Sequence, residues 1–219
     1  MQNLKRPTRL LVLSLGNPKE YDGTRHSVGH YILSKLILRY NCQNERVGRF
    51  ESYVKRDFHG CDIWFYRVPG FMNLSGKGVT PFYDSFLKLP SNNNSTDNPI
   101  DNSIDNSDNL TSIVILFDEL DVELGDVKIR KKNSSHRGHN GLRSIQQQSK
   151  IIKEYTGIQI GIGRNYQGDK NTPGVVANYV LSKFTDLEKK ILDDQVVGKV
   201  QDIIENICEK GKYINDRIK

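Results

Sequence analysis

LLVLSLGNPKEYDGTRHSVGHYILSKLILRY, residues 10–40, runs from an apolar stretch through a polar turn into a helical period. Leu10 to Leu15 has the length and composition of a buried strand, and Gly16, Asn17 and Pro18 end it in a turn. Val28, Tyr31, Ile32, Leu36 and Tyr40 then fall at helical spacing. A strand leading through a polar loop into a helix is the repeating unit of an α/β fold, and the rest of the chain follows it. Residues 50–57 and 61–67 alternate as a hairpin turning at His59-Gly60. Ser75 to Leu89 reads as a helix with Pro81 as an obstacle or a late start. IVILF (113–117) is a second buried strand, and Val127–Arg130 and Ile158–Ile162 are further strands. Val176–Phe184 starts one helical stretch, and Leu187–Ile207 carries Leu192, Val196, Val200, Ile203 and Ile207 along one face. Strands alternating with helices predict an α/β fold with a partly parallel sheet.

Within that frame, 219 residues are enough for one domain with a large core. SNNNSTDNPIDNSIDNSDN (91–109) is polar and repetitive, and is expected to be a disordered insert inside the single domain 1–219. No apolar run approaches a membrane span, and mean hydropathy is −0.58, so a membrane is not expected as a partner. Cys42, Cys61 and Cys208 show no ligand spacing and read as reduced intracellular thiols. MQNLKRPTR lacks the apolar segment of a secretory signal, which leaves the cytoplasm or a mitochondrion. Net charge is +6, and residues 91–109 contribute four aspartates and no Lys or Arg, so the remainder carries +10. A body that basic attracts polyanions, although solubility alone also accounts for the charge.

Polar clusters follow the apolar strands: Asn17–His26, Asn73 in GFMNLSGKGV, Asp118-Glu119-Leu120-Asp121, and SSHRGHN (134–140). In open α/β sheets such loops meet at the carboxyl ends of strands, where ligands bind. His26 can take a proton from water near neutral pH, and Asp118, at the end of a buried strand, is the natural carboxylate to hold its tautomer. Each also has a local explanation, His26 as a helix N-terminal residue and Asp118 as a turn or cap residue. Asn17, Asn73 and Asn140 can both donate and accept, and so can orient carbonyls, but Asn is equally common in turns. Lys128, Arg130 and Lys131 form a basic strand end suited to phosphate or simply to a solvated face. There is no GxxxxGK[ST], and GIQIGIGRN (157–165) lacks dinucleotide spacing. No GxSxG elbow marks a serine hydrolase, and no carboxylate or Cys pair near His136 and His139 completes a metal site.

Taken in order, GNPKEYDGTRHSVG (16–29), GFMNLSGKGV (70–79), DELDVELG (118–125), RGHNGLRSI (137–145), IGIGR (160–164) and VANYVLSKF (176–184) resemble the bacterial-type peptidyl-tRNA hydrolase family. The resemblance implies a single-domain α/β fold with a twisted mixed β-sheet surrounded by helices, acting as a monomer without metal or cofactor. It implies hydrolysis of the ester joining a peptide, or an N-blocked aminoacyl group, to tRNA, with the acceptor stem and CCA end as partner. His26 matches the catalytic base and Asp118 the carboxylate behind it. Asn17 matches the residue that separates blocked from free aminoacyl ends, and Tyr21, Phe71, Asn73 and Asn140 match substrate contacts. The chain departs from the pattern in four places. NPKEY is one residue shorter than usual, Phe117 stands where histidine often occurs, NSSHR replaces a glycine-rich segment, and Gln159 replaces an arginine that grips phosphate. With Gln159 in place, phosphate binding is expected to fall to Lys128, Arg130 or Lys131. The alternative is a basic tRNA-binding or RNA-binding module with impaired catalysis.

Overall fold

The computed structural model describes residues 6–90, 110–130, 135–148, 155–166, 168, 172 and 174–211. The insert expected at 91–109, and Lys131, lie outside the described residues. Seven strands form one mixed sheet: β1 (Arg9–Ser14), β2 (Gln43–Val47), β3 (Phe50–Phe58), β4 (Cys61–Arg67), β5 (Thr111–Glu119), β6 (Val127–Arg130) and β7 (Thr156–Gly161). Their order is β2-β3-β4-β1-β5-β7-β6. β4, β1, β5 and β7 run parallel, while β2, β3 and β6 are antiparallel to their neighbours at the two edges. From β1 the chain builds outward to β4 on one side, then crosses to β5 on the other. The loops after β1 and β5 therefore diverge at the carboxyl edge and open a crevice there.

Among the described residues six α-helices flank the sheet: α1 (Val28–Arg39), α2 (Ser75–Phe86), α3 (Asn140–Gln148), α4 (Val175–Leu181), α5 (Asp186–Ile191) and α6 (Val197–Lys210). The strand period of two divides β1 between the two layers. Leu10 and Val12 pack with Val28, Ile32, Leu36, Val200 and Ile203 from α1 and α6. Leu11 and Leu13 pack with Phe82, Phe86, Leu142 and Ile145 from α2 and α3. Each fully buried side chain of this size contributes about 1.5–3 kcal/mol relative to exposure.

The long C-terminal stretch is helical as expected, but a π-helical turn at Leu192–Val196 joins α5 to α6. That turn keeps Leu192 and Val196 buried with Val200, Ile203 and Ile207. α2 starts at Ser75 and runs through Pro81, so the proline delays nothing. Two elements have no strong sequence signal. β2 is a polar edge strand, and α3 buries Leu142 and Ile145 as its only large apolar side chains. No helix among the described residues is long and apolar enough to cross a membrane.

Two glycines bring the future site together. A Cβ at Gly29 would lie 2.6 Å from the carbonyl oxygens of both Leu15 and Leu116, so only glycine lets α1 sit directly on β1 and β5. A Cβ at Gly76 would lie 2.4 Å from the Ser144 carbonyl oxygen, so only glycine lets α2 meet α3 this closely.

Candidate active site

β1 stops at Ser14, pairing with Leu116, whereas β5 continues to Glu119. Asp118 therefore lies beyond the end of its neighbour, where the chain turns away at Gly16-Asn17. Alternation sends Phe117 to the α2/α3 face and Asp118 to the α1 face, towards the residues that open α1. Arg25–Ser27 form a 3-10 turn there, and it presents His26 to the carboxylate. His26 Nδ1 donates to Asp118 Oδ1 at 2.9 Å, and His139 Nε2 donates to the same oxygen at 3.0 Å.

The tautomers follow from the partners. The Leu142 N–H donates to His139 Nδ1 at 3.3 Å, so the proton of a neutral His139 sits on Nε2 and faces Asp118. An ionised carboxylate only accepts, so His26 likewise carries its proton on Nδ1, leaving Nε2 bare and without a partner among the described residues. Burial alone would raise the Asp118 carboxyl. The adjacent His26 and His139 imidazoles and their hydrogen bonds outweigh it and hold the group well below the usual carboxylate range. For His26, burial pulls the imidazole down, but the charge and hydrogen bond of Asp118 overcome that and leave its pKa above 6.5.

The sequence offers His139 only as an incomplete metal ligand. Its true partner comes from a strand twenty-one residues away, and the one available signal was its place beside Asn140. The Phe117 ring stands edge-on to His139 at 5.2 Å and seats it. The ligating atoms of His26, Asp118 and His139 lie within 4.8 Å of one another, a donor set of the type that holds divalent cations. A metal would need His139 Nε2 bare, however, and the Leu142 amide imposes the opposite tautomer. The trio is built as a hydrogen-bond relay.

Around it lies a cleft of about 660 Å³ whose walls include Asn17, Tyr21, Phe71, Asn73, Asn140 and α4. All seven residues expected for catalysis and substrate contact thus meet in one cavity. Asn17 is 6% exposed and tightly held despite the short NPKEY loop. Its N–H donates to Ser27 Oγ at 3.1 Å, and its Oδ1 accepts from the Met72 N–H at 3.0 Å. The second bond orients the amide and leaves its Nδ2 hydrogens as donors without a partner among the described residues. Asn73 and Asn140 are exposed in the cleft, and their amides have no hydrogen-bond partner among the described residues. Tyr21 and Phe71 meet edge-to-face at 6.1 Å, with the Phe71 ring 48% exposed.

The basic strand end divides. Lys128 is exposed on β6, but Arg130 is buried and bonded inward to Tyr155 Oη and the Ser135 carbonyl. Neither lines the cleft. Gln159 donates to Glu119 Oε2 at 2.6 Å beside Lys128, its β6 partner in register.

Comparison with known proteins bears on the family and the fold. The family model described as peptidyl-tRNA hydrolase matches residues 11–96 and 101–218. A peptidyl-tRNA hydrolase of Caldanaerobacter subterraneus is 32% identical over 205 residues, covering 92% of this chain and 94% of its own. One from Histophilus somni is 32% identical over 203 residues, covering 92% and 91%. The crystal structure of peptidyl-tRNA hydrolase from Acinetobacter baumannii superposes with a TM-score of 0.68 at 25% identity, covering 94% of this chain and 91% of that one. A mixed sheet with this strand order, a relay at its carboxyl edge and matches along nearly the whole length lead to one conclusion: the chain belongs to the peptidyl-tRNA hydrolase family.

Proposed function

We propose that the protein hydrolyses the ester between a peptide and the terminal ribose of tRNA, with His26 as general base. A water at His26 Nε2 gives up a proton as its oxygen attacks the ester carbonyl. The imidazolium formed is stabilised by the Asp118 carboxylate, and the proton then passes to the departing ribose oxygen. The products are free tRNA and a peptide acid. His139, bonded to the same carboxylate oxygen, keeps Asp118 ionised and aimed. The Asn17, Asn73 and Asn140 amides bind the peptide carbonyls and the CCA end and polarise the carbonyl under attack. The Tyr21–Phe71 pair offers an apolar surface beside them. Lys128 meets acceptor-stem phosphate, alone or with Lys131, while the inward bonds of Arg130 suit it to holding β6. The enzyme works as a monomer in the cytosol or a mitochondrion.

The observation that carries this reading is the His26 Nδ1–Asp118 Oδ1 bond of 2.9 Å within a cleft lined by three asparagines. The test is release of N-blocked aminoacyl groups from tRNA, with unblocked aminoacyl-tRNA as control. Selective release is expected, and His26→Ala should reduce turnover by about 10²–10⁴-fold with tRNA affinity retained. Near-normal turnover in that variant would remove His26 from the mechanism. Tight tRNA binding by the wild type without release would instead identify a binding module.

A further inference from the structure

The residue before the proposed base is tied more heavily than any simple docking contact requires. Arg25 is 8% exposed, and its side chain crosses to the segment following α4. Nη1 donates to Ser182 Oγ at 2.8 Å and to the Lys183 carbonyl at 2.8 Å, and Nη2 donates to Glu188 Oε1 at 2.6 Å. The guanidinium lies 4.7 Å from the Tyr179 ring centre and 5.1 Å from that of Phe184. The backbone joins in: the Arg25 N–H donates to the Ser182 carbonyl at 3.0 Å, and the Phe184 N–H donates to the Gly23 carbonyl at 2.9 Å. An apolar side chain could pack against Tyr179 and Phe184 equally well. A planar fork reaching three acceptors fixes an angle as well as a contact.

Both ends of this clasp belong to the cleft. On one side Arg25 opens the 3-10 turn that aims His26. On the other, α4 contributes Val176, Ala177, Val180 and Leu181 to the cavity wall. We propose that Arg25 is a positioning residue for the reaction, acting through His26 and locking the α4 wall to the turn that carries the base. The proposal rests on His26 being that base. Catalytic groups need to be held within about 0.5 Å, and a 1 Å misplacement can cost about 10²-fold in rate.

Arg25→Lys keeps the charge and much of the stem but cannot reach three acceptors at once. It is expected to lower kcat about 10–100-fold while KM for N-blocked aminoacyl-tRNA stays within about threefold. The acidic limb of its pH–rate profile should move down, because a His26 that drifts from Asp118 loses the carboxylate's support. Ile203→Ala opens a cavity in the α6 core without removing any hydrogen bond of the clasp; it provides a general loss of stability for comparison and should leave kcat and the limb unchanged. Wild-type kcat and limb in Arg25→Lys, or an equal loss of kcat in Ile203→Ala, overturns the proposal. If Arg25→Lys does not fold, Ser182→Ala removes one acceptor. It should show a smaller shift of the same kind, and no shift overturns the proposal. An active His26→Ala refutes the base itself. An inactive His26→Ala with a normal Arg25→Lys refutes only the clasp.

Discussion

His30, in the first turn of α1, should make the protein lose stability on mild acidification in a way that a single substitution abolishes. The side chain is 3% exposed, its Nδ1 bonds Ser14 Oγ at 2.7 Å, and its Nε2 has no partner among the described residues. A Cβ on Gly16 would lie 2.3 Å from the ring, so the loop backbone closes directly over it. Burial, with a smaller push from the Arg67 guanidinium, lowers the His30 pKa from 6.5 to about 3. The unfolded chain thus takes up a proton near pH 6.5 that the folded one refuses until about pH 3. The stabilisation is fully present above 6.5 and is lost as pH falls through that window. At 1.36 kcal/mol per unit, the loss between pH 7.5 and 5.0 comes to about 2 kcal/mol. Denaturant unfolding at both pH values, on wild type and His30→Leu, measures it. The raised pKa of His26 works in the opposite direction, and the lowered pKa of Asp118 matters only below about 3.8, but both proteins share these groups. Ser14 loses its partner in the variant at both pH values alike. The wild type should therefore lose about 2 kcal/mol more than His30→Leu over this interval. Equal losses would show that His30 is protonated in the folded protein and that the burial argument fails.

Two further outcomes test the construction of the site. Asp118→Asn removes the carboxylate that lifts His26 against burial. The acidic limb of kcat/KM, above 6.5 in the wild type, should move below it, and turnover at pH 7.5 should fall at least about tenfold. A pH–rate profile with an unmoved limb would mean that another group titrates. Gly29→Ala pushes a Cβ against two backbone carbonyls, which can be relieved only by lifting α1 and with it His26. It should cost roughly 1–3 kcal/mol and lower the melting midpoint by several degrees, whereas an unchanged midpoint in a thermal melt would contradict the close packing of α1.

Much of the fold lies in local pattern. LLVLSL and IVILF are strands because short apolar runs bounded by turn residues bury both faces, and the 3.6 period from Val28 onward is a helix on any reading. The polar QNERV of β2 and the α3 segment after Asn140 escaped such reading. One is an edge strand with little to bury, and the other has only two large apolar positions. The site divides along the same line. That Asn17, His26, Asn73 and Asp118 stand at or after strand ends is a matter of sequence, and it places them at the carboxyl edge of the parallel strands β1, β4 and β5, whereas Asn140 opens α3 after β6, which runs the other way, and only the fold returns it to that edge. The sharing of a single Asp118 oxygen by His26 and His139, the inward turn of Arg130 and the grip of Arg25 on Ser182, Lys183 and Glu188 are not. The first depends on β5 outrunning β1, and all of them on contacts of 3.0 Å or less, made or lost by shifts of a few tenths of an ångström, between residues up to 163 positions apart. Hydrogen bonds and ion pairs fall off over such distances, and no one-dimensional period encodes them, so they had to wait for the chain to fold back on itself.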